Sequence, residues 1–230
     1  MQRIKIKIET LSNLFIGGLP RTFEIGGIDQ YTITDYNDLP IIPASSWKGA
    51  LRNIIRNMER AEDCEVLKIK EGYRRYFVEL KKKNQNKEIL SKVKEESIKN
   101  MNSQLDKMIE GVSAEYLFGI QGFNLTPKLI FNDFHMNNCT SDWYSIDVKN
   151  SIEYVDNQII SNPRSYKTVR SGVEFKGEIL LWDIEKLHVE GIKEFMGSVI
   201  LKFNEGKYRL GNSGSRGYGR VQVKIESECE

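Results

Sequence analysis

Residues 1–11 read MQRIKIKIETL, and isoleucine occupies every second position from Ile4 to Ile8. Because polar and charged residues fill the positions between them, this period of two places one face of a β-strand in a core and the other in solvent. The segment lacks the uninterrupted apolar run of a signal peptide. We therefore predict that the chain opens with a half-buried strand.

Further along, the spacing of apolar residues predicts an amphipathic helix. Its apolar side consists of Trp47, Ala50, Leu51, Ile54, Ile55 and Met58. Ser45 or Ser46 can cap this helix, and Lys48, Arg52 and Arg56 form a column of cations on the opposite face. Hydroxyls, free backbone amides and cations at one helix N-terminus suit a phosphodiester. A capped core helix with solvated cations is the alternative interpretation.

The rest of the chain adds two strands, a second helix and a final strand. PKLIFNDFHM at residues 127–136 and GVEFKGEILLW at residues 172–182 have the composition of strands. Apolar residues return to helical spacing over residues 192–203. Residues 209–226 then begin with a glycine-rich turn and end in an alternating strand. The order strand, helix, two strands, helix, strand predicts an α+β protein with a ferredoxin-like βαββαβ core.

Two further segments interrupt this order. Residues 60–112 are highly charged and contain no proline, so we predict a helical insertion or lid, whose charges in the simpler interpretation form a solvated surface. Residues 148–170 are polar with alternating fragments and no clear core face, which favours an extended β-hairpin. With both insertions included, we predict a single domain over residues 1–230.

The segment GNSGSRGYGRV, residues 211–221, is rich in glycine and arginine. Its glycines and arginines are Gly211, Gly214, Gly217, Gly219, Arg216 and Arg220. Backbone amides of such a loop can surround a phosphate while an arginine contacts it through two nitrogens. The segment is not a P-loop, because no Gly-Lys-Ser or Gly-Lys-Thr follows, and it matches the RNA-recognition-motif signature only in part. A tight glycine turn before the last strand is the alternative interpretation.

Composition narrows the functional classes. The 34 basic and 32 acidic residues give a net charge of +2, so any nucleic-acid binding must come from local patches. Cys64, Cys139 and Cys229 are far apart and form no CxxC, which disfavours a structural zinc site or a disulfide framework. No apolar run approaches the length of about 20 residues that crosses a membrane. We expect a soluble, cytoplasmic protein that has no membrane partner.

Five short motifs occur together in one order. They are IGG at residues 16–18, IGGID at 25–29, IPASSWKGALR at 42–52, LFG at 117–119 and SRGYGRV at 215–221. In this combination the chain resembles the RAMP superfamily of CRISPR systems, and more narrowly the repeating backbone subunit of type III (Csm/Cmr) effector complexes. That resemblance implies four partners: a guide RNA (crRNA), a complementary target RNA, further copies of the chain and other subunits of the complex.

The resemblance also implies how RNA is held. Residues 148–170 would form a thumb that kinks the guide and displaces a nucleotide, with Ile159 or Ile160 as a wedge against a base. The side chains implied to contact the RNA backbone are Lys48, Arg52, Arg164, Arg170, Arg216 and Arg220, with hydroxyl contacts from Ser45 and Ser46.

Asp29, in IGGID, stands where the resemblance implies the residue that cuts target RNA with a divalent metal, expected to be Mg²⁺. The sequence does not identify the other metal ligands. Asp29 stands two residues after Gly27, and an aspartate close to glycine is otherwise a common turn residue, so a non-catalytic structural or capping subunit is the main alternative. A guide-processing endoribonuclease that works without metal is a second alternative. It is disfavoured because neither His135 nor His188 lies near the first glycine-rich region or helix.

Overall fold

The computed structural model describes residues 2–18, 27–84, 95–137, 142–155 and 158–226, and it shows an α+β protein. The strands are β1 (Gln2–Thr10), β2 (Gln30–Tyr31), β3 (Ile41–Ile42), β4 (Lys128–Phe131), β5 (Phe134–Met136), β6 (Tyr144–Val155), β7 (Gln158–Val169), β8 (Glu174–Trp182) and β9 (Val221–Glu226). The α-helices of the described ranges are α1 (Ala44–Arg60), α2 (Cys64–Asn84), α3 (Glu95–Glu110) and α4 (Ile192–Leu201). Short 3₁₀ helices lie at Ala114–Phe118, Ile184–Leu187, Lys202–Glu205 and Gly214–Arg216.

The larger sheet is built around the opening strand. Its order is β3-β5-β8-β1-β9, and β4 also pairs with β8. The predicted opening strand is confirmed, because Ile4, Ile6 and Ile8 are all buried. β1 runs antiparallel to β9 with Ile8 opposite Val223, and both of these side chains are buried. Burying one isoleucine side chain stabilises the fold by about 1.5–3 kcal/mol.

The smaller sheet has the order β2-β7-β6. β6 and β7 pair antiparallel from Tyr144 opposite Val169 to Val155 opposite Gln158, and we call these two strands the hairpin arm. β2 joins β7 in parallel, with Gln30 opposite Tyr166. The residues just before β2 are thereby brought to the edge of the arm.

Contacts divide the chain into two compact units. The first unit consists of Met1–Gln2, Leu51–Ile130 and Leu180–Val199, and the second of Arg3–Ala50, Phe131–Ile179 and Ile200–Glu230.

In the first unit, α2 has a buried face of Val66, Ile69, Tyr73 and Phe77. The ring centroid of Phe77 lies 5.9 Å from that of Tyr116, and the Tyr73 hydroxyl donates to a backbone carbonyl 2.7 Å away. The helices of residues 60–112 therefore contribute to a core and not only to a solvated surface.

In the second unit, aromatic rings form the centre of the packing. Trp47 is fully buried, and its ring centroid lies 4.9 Å from that of Phe203 and 5.4 Å from that of Phe134. Gly177 lies against Phe134, because a Cβ at this position would be 2.6 Å from the ring. The apolar face predicted for α1 is thus confirmed at Trp47.

Two local expectations are wrong. α1 begins at Ala44, and the Ala44 N–H donates to Asp133 Oδ1 at 2.7 Å, so Ser45 and Ser46 lie in the first turn instead of capping the helix. The single strand expected over residues 127–136 is divided into β4 and β5. Asp133 lies in the break between them, where its side chain is available to α1.

Some sequence features lie outside the described residues: Gly26, the middle of the charged insertion at residues 85–94, residues 156–157 of the predicted thumb, Cys139 and Cys229. Cys64 is a free, exposed thiol. None of the helices within the described ranges is long and apolar enough to cross a membrane.

Candidate functional site

Asp29 is held against the edge of the hairpin arm by one serine. The Asp29 N–H donates to Ser165 Oγ at 3.0 Å. In return, Asp29 Oδ2 accepts from the Ser165 N–H at 2.6 Å and from the Ser165 hydroxyl at 2.9 Å. These bonds continue the parallel pairing of β2 with β7 by one more residue. The carboxylate is therefore fixed in place although the side chain is exposed.

The same contacts keep Asp29 ionised. The bond from the Ser165 backbone N–H, and then the bond from its hydroxyl, hold the pKa of the Asp29 carboxyl below its ordinary value. The positive charge of Arg164, exposed on β7, acts in the same direction. Hydrogen bonds to the charged form stabilise it, so Asp29 is a carboxylate at neutral pH.

The side chains around Asp29 suit a metal ion whose other ligands are RNA phosphates and water. Among the described residues, no three His, Cys, Asp or Glu side chains are grouped as a metal site. Mg²⁺ commonly uses only one or two carboxylates together with water and substrate phosphates. All the bonds from Ser165 go to Oδ2, so Oδ1 takes no part in them. Asp29 can thus contribute one oxygen ligand to such a site.

A second carboxylate, which the sequence did not single out, lies at the base of the hairpin arm. Asp147 accepts hydrogen bonds from Tyr218 Oη at 2.7 Å and from Asn13 Nδ2, Thr168 Oγ1 and Ser145 Oγ, each at 3.0 Å. Burial acts to raise the pKa of Asp147, but the four bonds outweigh it and the pKa is lowered. Asp147 thereby links β6, β7, the segment after β1 and the glycine-rich segment.

Lys149 extends this cluster. Its ammonium lies 3.7 Å from the ring centroid of Tyr218 and 4.3 Å from that of Tyr166, and it donates to Ser213 Oγ at 3.2 Å. Burial, and then the charge of Arg216, lower the pKa of Lys149. The two cations belong to one patch that also presents tyrosine faces. The sequence alone does not reveal this patch, because it depends on the register of β6 and β7, which places Asp147 opposite Tyr166.

The glycine-rich segment is shaped by close backbone packing. Gly219 has φ 71°, and a Cβ there would lie 1.9 Å from the Leu210 carbonyl oxygen. Gly211 has φ 75°, and its Cβ would lie 2.4 Å from the Phe15 carbonyl oxygen. Gly217 also has a positive φ but faces open space. The alternative interpretation as a tight turn therefore accounts for Gly211 and Gly219.

Several of the sequence-predicted RNA ligands are exposed in the second unit. They are Arg164, Arg216, Arg220 and Ser45, while Ser46, Lys48 and Gly214 are half-buried. The Arg220 backbone N–H donates to Ser12 Oγ at 2.9 Å. Ile159 and Ile160, expected as a wedge, are 66% and 47% exposed on the hairpin arm.

Two other predicted ligands contact acids of the chain itself. Arg170 Nη2 lies 3.2 Å from Asp142 Oδ2. Arg52 Nε lies 3.8 Å from Glu115 Oε2, and its Nη2 donates to the Phe118 carbonyl at 3.4 Å. Arg56 forms two bonds of 2.7 Å to the same glutamate. Both arginines of the cation column on α1 are thus engaged within the first unit.

Comparison with known proteins gives consistent matches. A sequence model described as the RAMP superfamily matches residues 7–222. The protein named CRISPR system Cms endoribonuclease Csm3 from Methanocaldococcus jannaschii is 28% identical over 218 residues, covering 94% of this chain and 76% of the relative. The protein of the same name from Enterococcus italicus is 25% identical over 240 residues, covering 98% of this chain and 90% of the relative.

The fold is also found in a solved structure. A chain in the "Cryo-EM structure of the Type III-B Cmr-beta bound to cognate target RNA" matches with a TM-score of 0.53 and 19% identity. The match covers 97% of the present chain but only 59% of the solved one. The present chain therefore spans less than two thirds of the length of that structural relative.

Proposed function

Because the chain belongs to the RAMP superfamily, we propose that it is a guide-RNA-binding backbone subunit of a type III CRISPR complex and that Asp29 cuts the complementary target RNA. The observation that carries the proposal is the ionised, exposed carboxylate of Asp29, held by Ser165 beside Arg164. The endoribonuclease names of the relatives support the same activity.

The fold supports a ferredoxin-like core for this subunit. The proposed core consists of β1, α1, β5, β8, α4 and β9, which occur in this order along the chain with other elements between them. The proposal is supported by the sheet order β9-β1-β8-β5, since a βαββαβ core of the ferredoxin-like kind would have the order 4-1-3-2. On this view the chain is one RAMP domain over residues 1–230, with a helical insertion at 60–112 and a thumb at 148–170.

In the proposed cleavage, Asp29 supplies a carboxylate that Ser165 keeps oriented and ionised. A divalent metal, Mg²⁺ in the simplest case, would offset the negative charge that develops on the scissile phosphate. Arg164 lies on the adjacent strand with an exposed guanidinium, which suits two-point contact with a phosphate.

The wider RNA surface combines the remaining cations. Arg216 and Lys149 form a positive patch with tyrosine faces, and Arg220 and the glycine-rich segment lie in the same unit. Ser45, Ser46 and Lys48 at the start of α1 add further contacts. Arg52 and Arg170 rank below these because each already contacts an acid of the chain. Binding through phosphates is independent of sequence and sensitive to salt, while guide pairing supplies specificity.

A second candidate function is a structural subunit without chemistry. The three bonds between Asp29 and Ser165 favour it, because they would also serve simply to fasten the loop before β2 to the arm. In that case Asp29 would matter for local order and not for cleavage.

Cleavage of labelled RNA complementary to the guide separates the two functions. The assembled complex is tested with Mg²⁺ or with EDTA, carrying the native subunit, Asp29→Asn or the control Asp38→Asn. Asp38 is exposed, and its left-handed φ of 61° is one that asparagine also adopts. The proposal expects cuts that require both the metal and Asp29 and that persist in the control. Target binding without cleavage by the native complex would identify a structural subunit.

A further inference from the structure

We propose that Ser165 is a positioning residue for cleavage, through which the hairpin arm fixes the Asp29 carboxylate in its working orientation. The inference rests on the proposed function of Asp29. It concerns a residue that the sequence did not single out, and it is carried by the three hydrogen bonds that join these two residues.

One hydroxyl constrains both the backbone and the side chain of Asp29. Ser165 Oγ accepts the Asp29 N–H at 3.0 Å and donates to Asp29 Oδ2 at 2.9 Å. A loop residue held only by its neighbours would sample several rotamers, because an exposed carboxylate has no packing to restrict it. The paired bonds select one arrangement of backbone and carboxylate together.

The location of Ser165 links this arrangement to the arm. β2 pairs with β7 only at Tyr166 and Lys167, and Ser165 is the next residue along β7. On its other side, Ser165 is opposite Val148 of β6. The loop carrying Asp29 is therefore attached to a strand within a paired hairpin, and the position of that strand sets the position of the carboxylate.

Ser165 acts through Asp29, because its hydroxyl accepts from the Asp29 N–H and donates to Asp29 Oδ2. Replacing Ser165 by alanine removes both hydroxyl bonds but keeps the backbone N–H that donates to Oδ2 at 2.6 Å. Misplacement of a reacting group by about 1 Å can reduce a rate by about 100-fold, so partial loss of orientation should cost about 10-fold or more.

The experiment compares Ser165→Ala, Ser165→Thr and Ser198→Ala. Ser198 is an exposed serine on α4, outside the hairpin arm, so it is a matched control. Single-turnover cleavage at saturating target RNA and affinity for target RNA are measured across pH in the assembled complex.

For Ser165→Ala we expect a cleavage rate lower by about 10-fold or more and unchanged target affinity. Ser165→Thr should restore the rate because it keeps the hydroxyl, and Ser198→Ala should match the native chain. If Asp29→Asn abolishes cleavage but Ser165→Ala cuts at the native rate, this inference alone is overturned. Loss of target affinity in step with the rate, or no recovery in Ser165→Thr, also overturns it. If Asp29→Asn cuts like the native chain, the proposed function fails and this inference fails with it.

Discussion

Replacing Asp147 by alanine should destabilise the chain, because four side-chain donors lose their shared acceptor. The donors are Tyr218, Asn13, Thr168 and Ser145, at 2.7 to 3.0 Å. A hydrogen bond to a charged group contributes about 1.5–3 kcal/mol, but Asp147 is only half-buried and the bonds are not additive. We therefore expect the free energy of unfolding to fall by about 2–3 kcal/mol at pH 7.

The sign of the pH dependence follows from the lowered pKa of Asp147. A carboxyl whose pKa is lower in the folded chain stabilises the fold above its unfolded pKa, and this stabilisation is lost as the pH falls through the folded value. The difference in the free energy of unfolding between the native chain and Asp147→Ala should therefore be largest near neutral pH and become smaller under acidic conditions.

Urea denaturation of the full-length chain at a series of pH values measures this effect. Asp142→Ala is the matched control, since Asp142 lies close to the start of the same strand but its side chain is 68% exposed and pairs with the exposed Arg170. Exposed ion pairs typically contribute about 0.5 kcal/mol or less. The role of Asp147 as a shared acceptor would be refuted if both variants lost the same free energy of unfolding, or if the loss for Asp147→Ala did not change with pH.

Gly219→Ala should destabilise the chain more than Gly217→Ala. Both glycines have a positive φ, which costs about 1–2 kcal/mol for a residue with a side chain. At Gly219 the added Cβ would also lie 1.9 Å from a carbonyl oxygen, whereas Gly217 faces open space. Thermal unfolding compares them, and equal midpoints would contradict the packing argument. Arg164→Ala should weaken guide-RNA binding and reduce the salt slope by about 1, whereas Arg52→Ala should have a smaller effect because Arg52 faces Glu115. Filter binding at several salt concentrations tests this, and a larger loss at Arg52 would reverse the ranking.

Local patterns predicted the elements that local sequence controls. The alternation of Ile4, Ile6 and Ile8 predicted the buried face of β1, because every second side chain of a strand lies on the same face of the sheet. The spacing of Trp47 and Leu51 likewise identified the buried face of α1, and both are fully buried. These features depend on residues that are close together in the sequence.

Features formed by distant residues were not predictable in the same way. The start of α1 is capped by Asp133, 89 residues away, so the nearby serines were misleading. Ser165 and Lys149 matter only because the pairing of β2, β6 and β7 brings them beside Asp29 and Tyr218. Strand register is set by the whole fold, and no spacing within one segment reveals it.

The proposed cleavage by Asp29 is tested most directly in complexes assembled from known mixtures of native subunit and Asp29→Asn subunit. Cut positions on labelled target RNA are quantified at single-nucleotide resolution with Mg²⁺ present and target binding saturated. If each copy cuts through its own Asp29 carboxylate, cleavage at every position should fall in proportion to the variant fraction and vanish when no native subunit remains. Cleavage that stays constant as the variant fraction rises would contradict the assignment of Asp29.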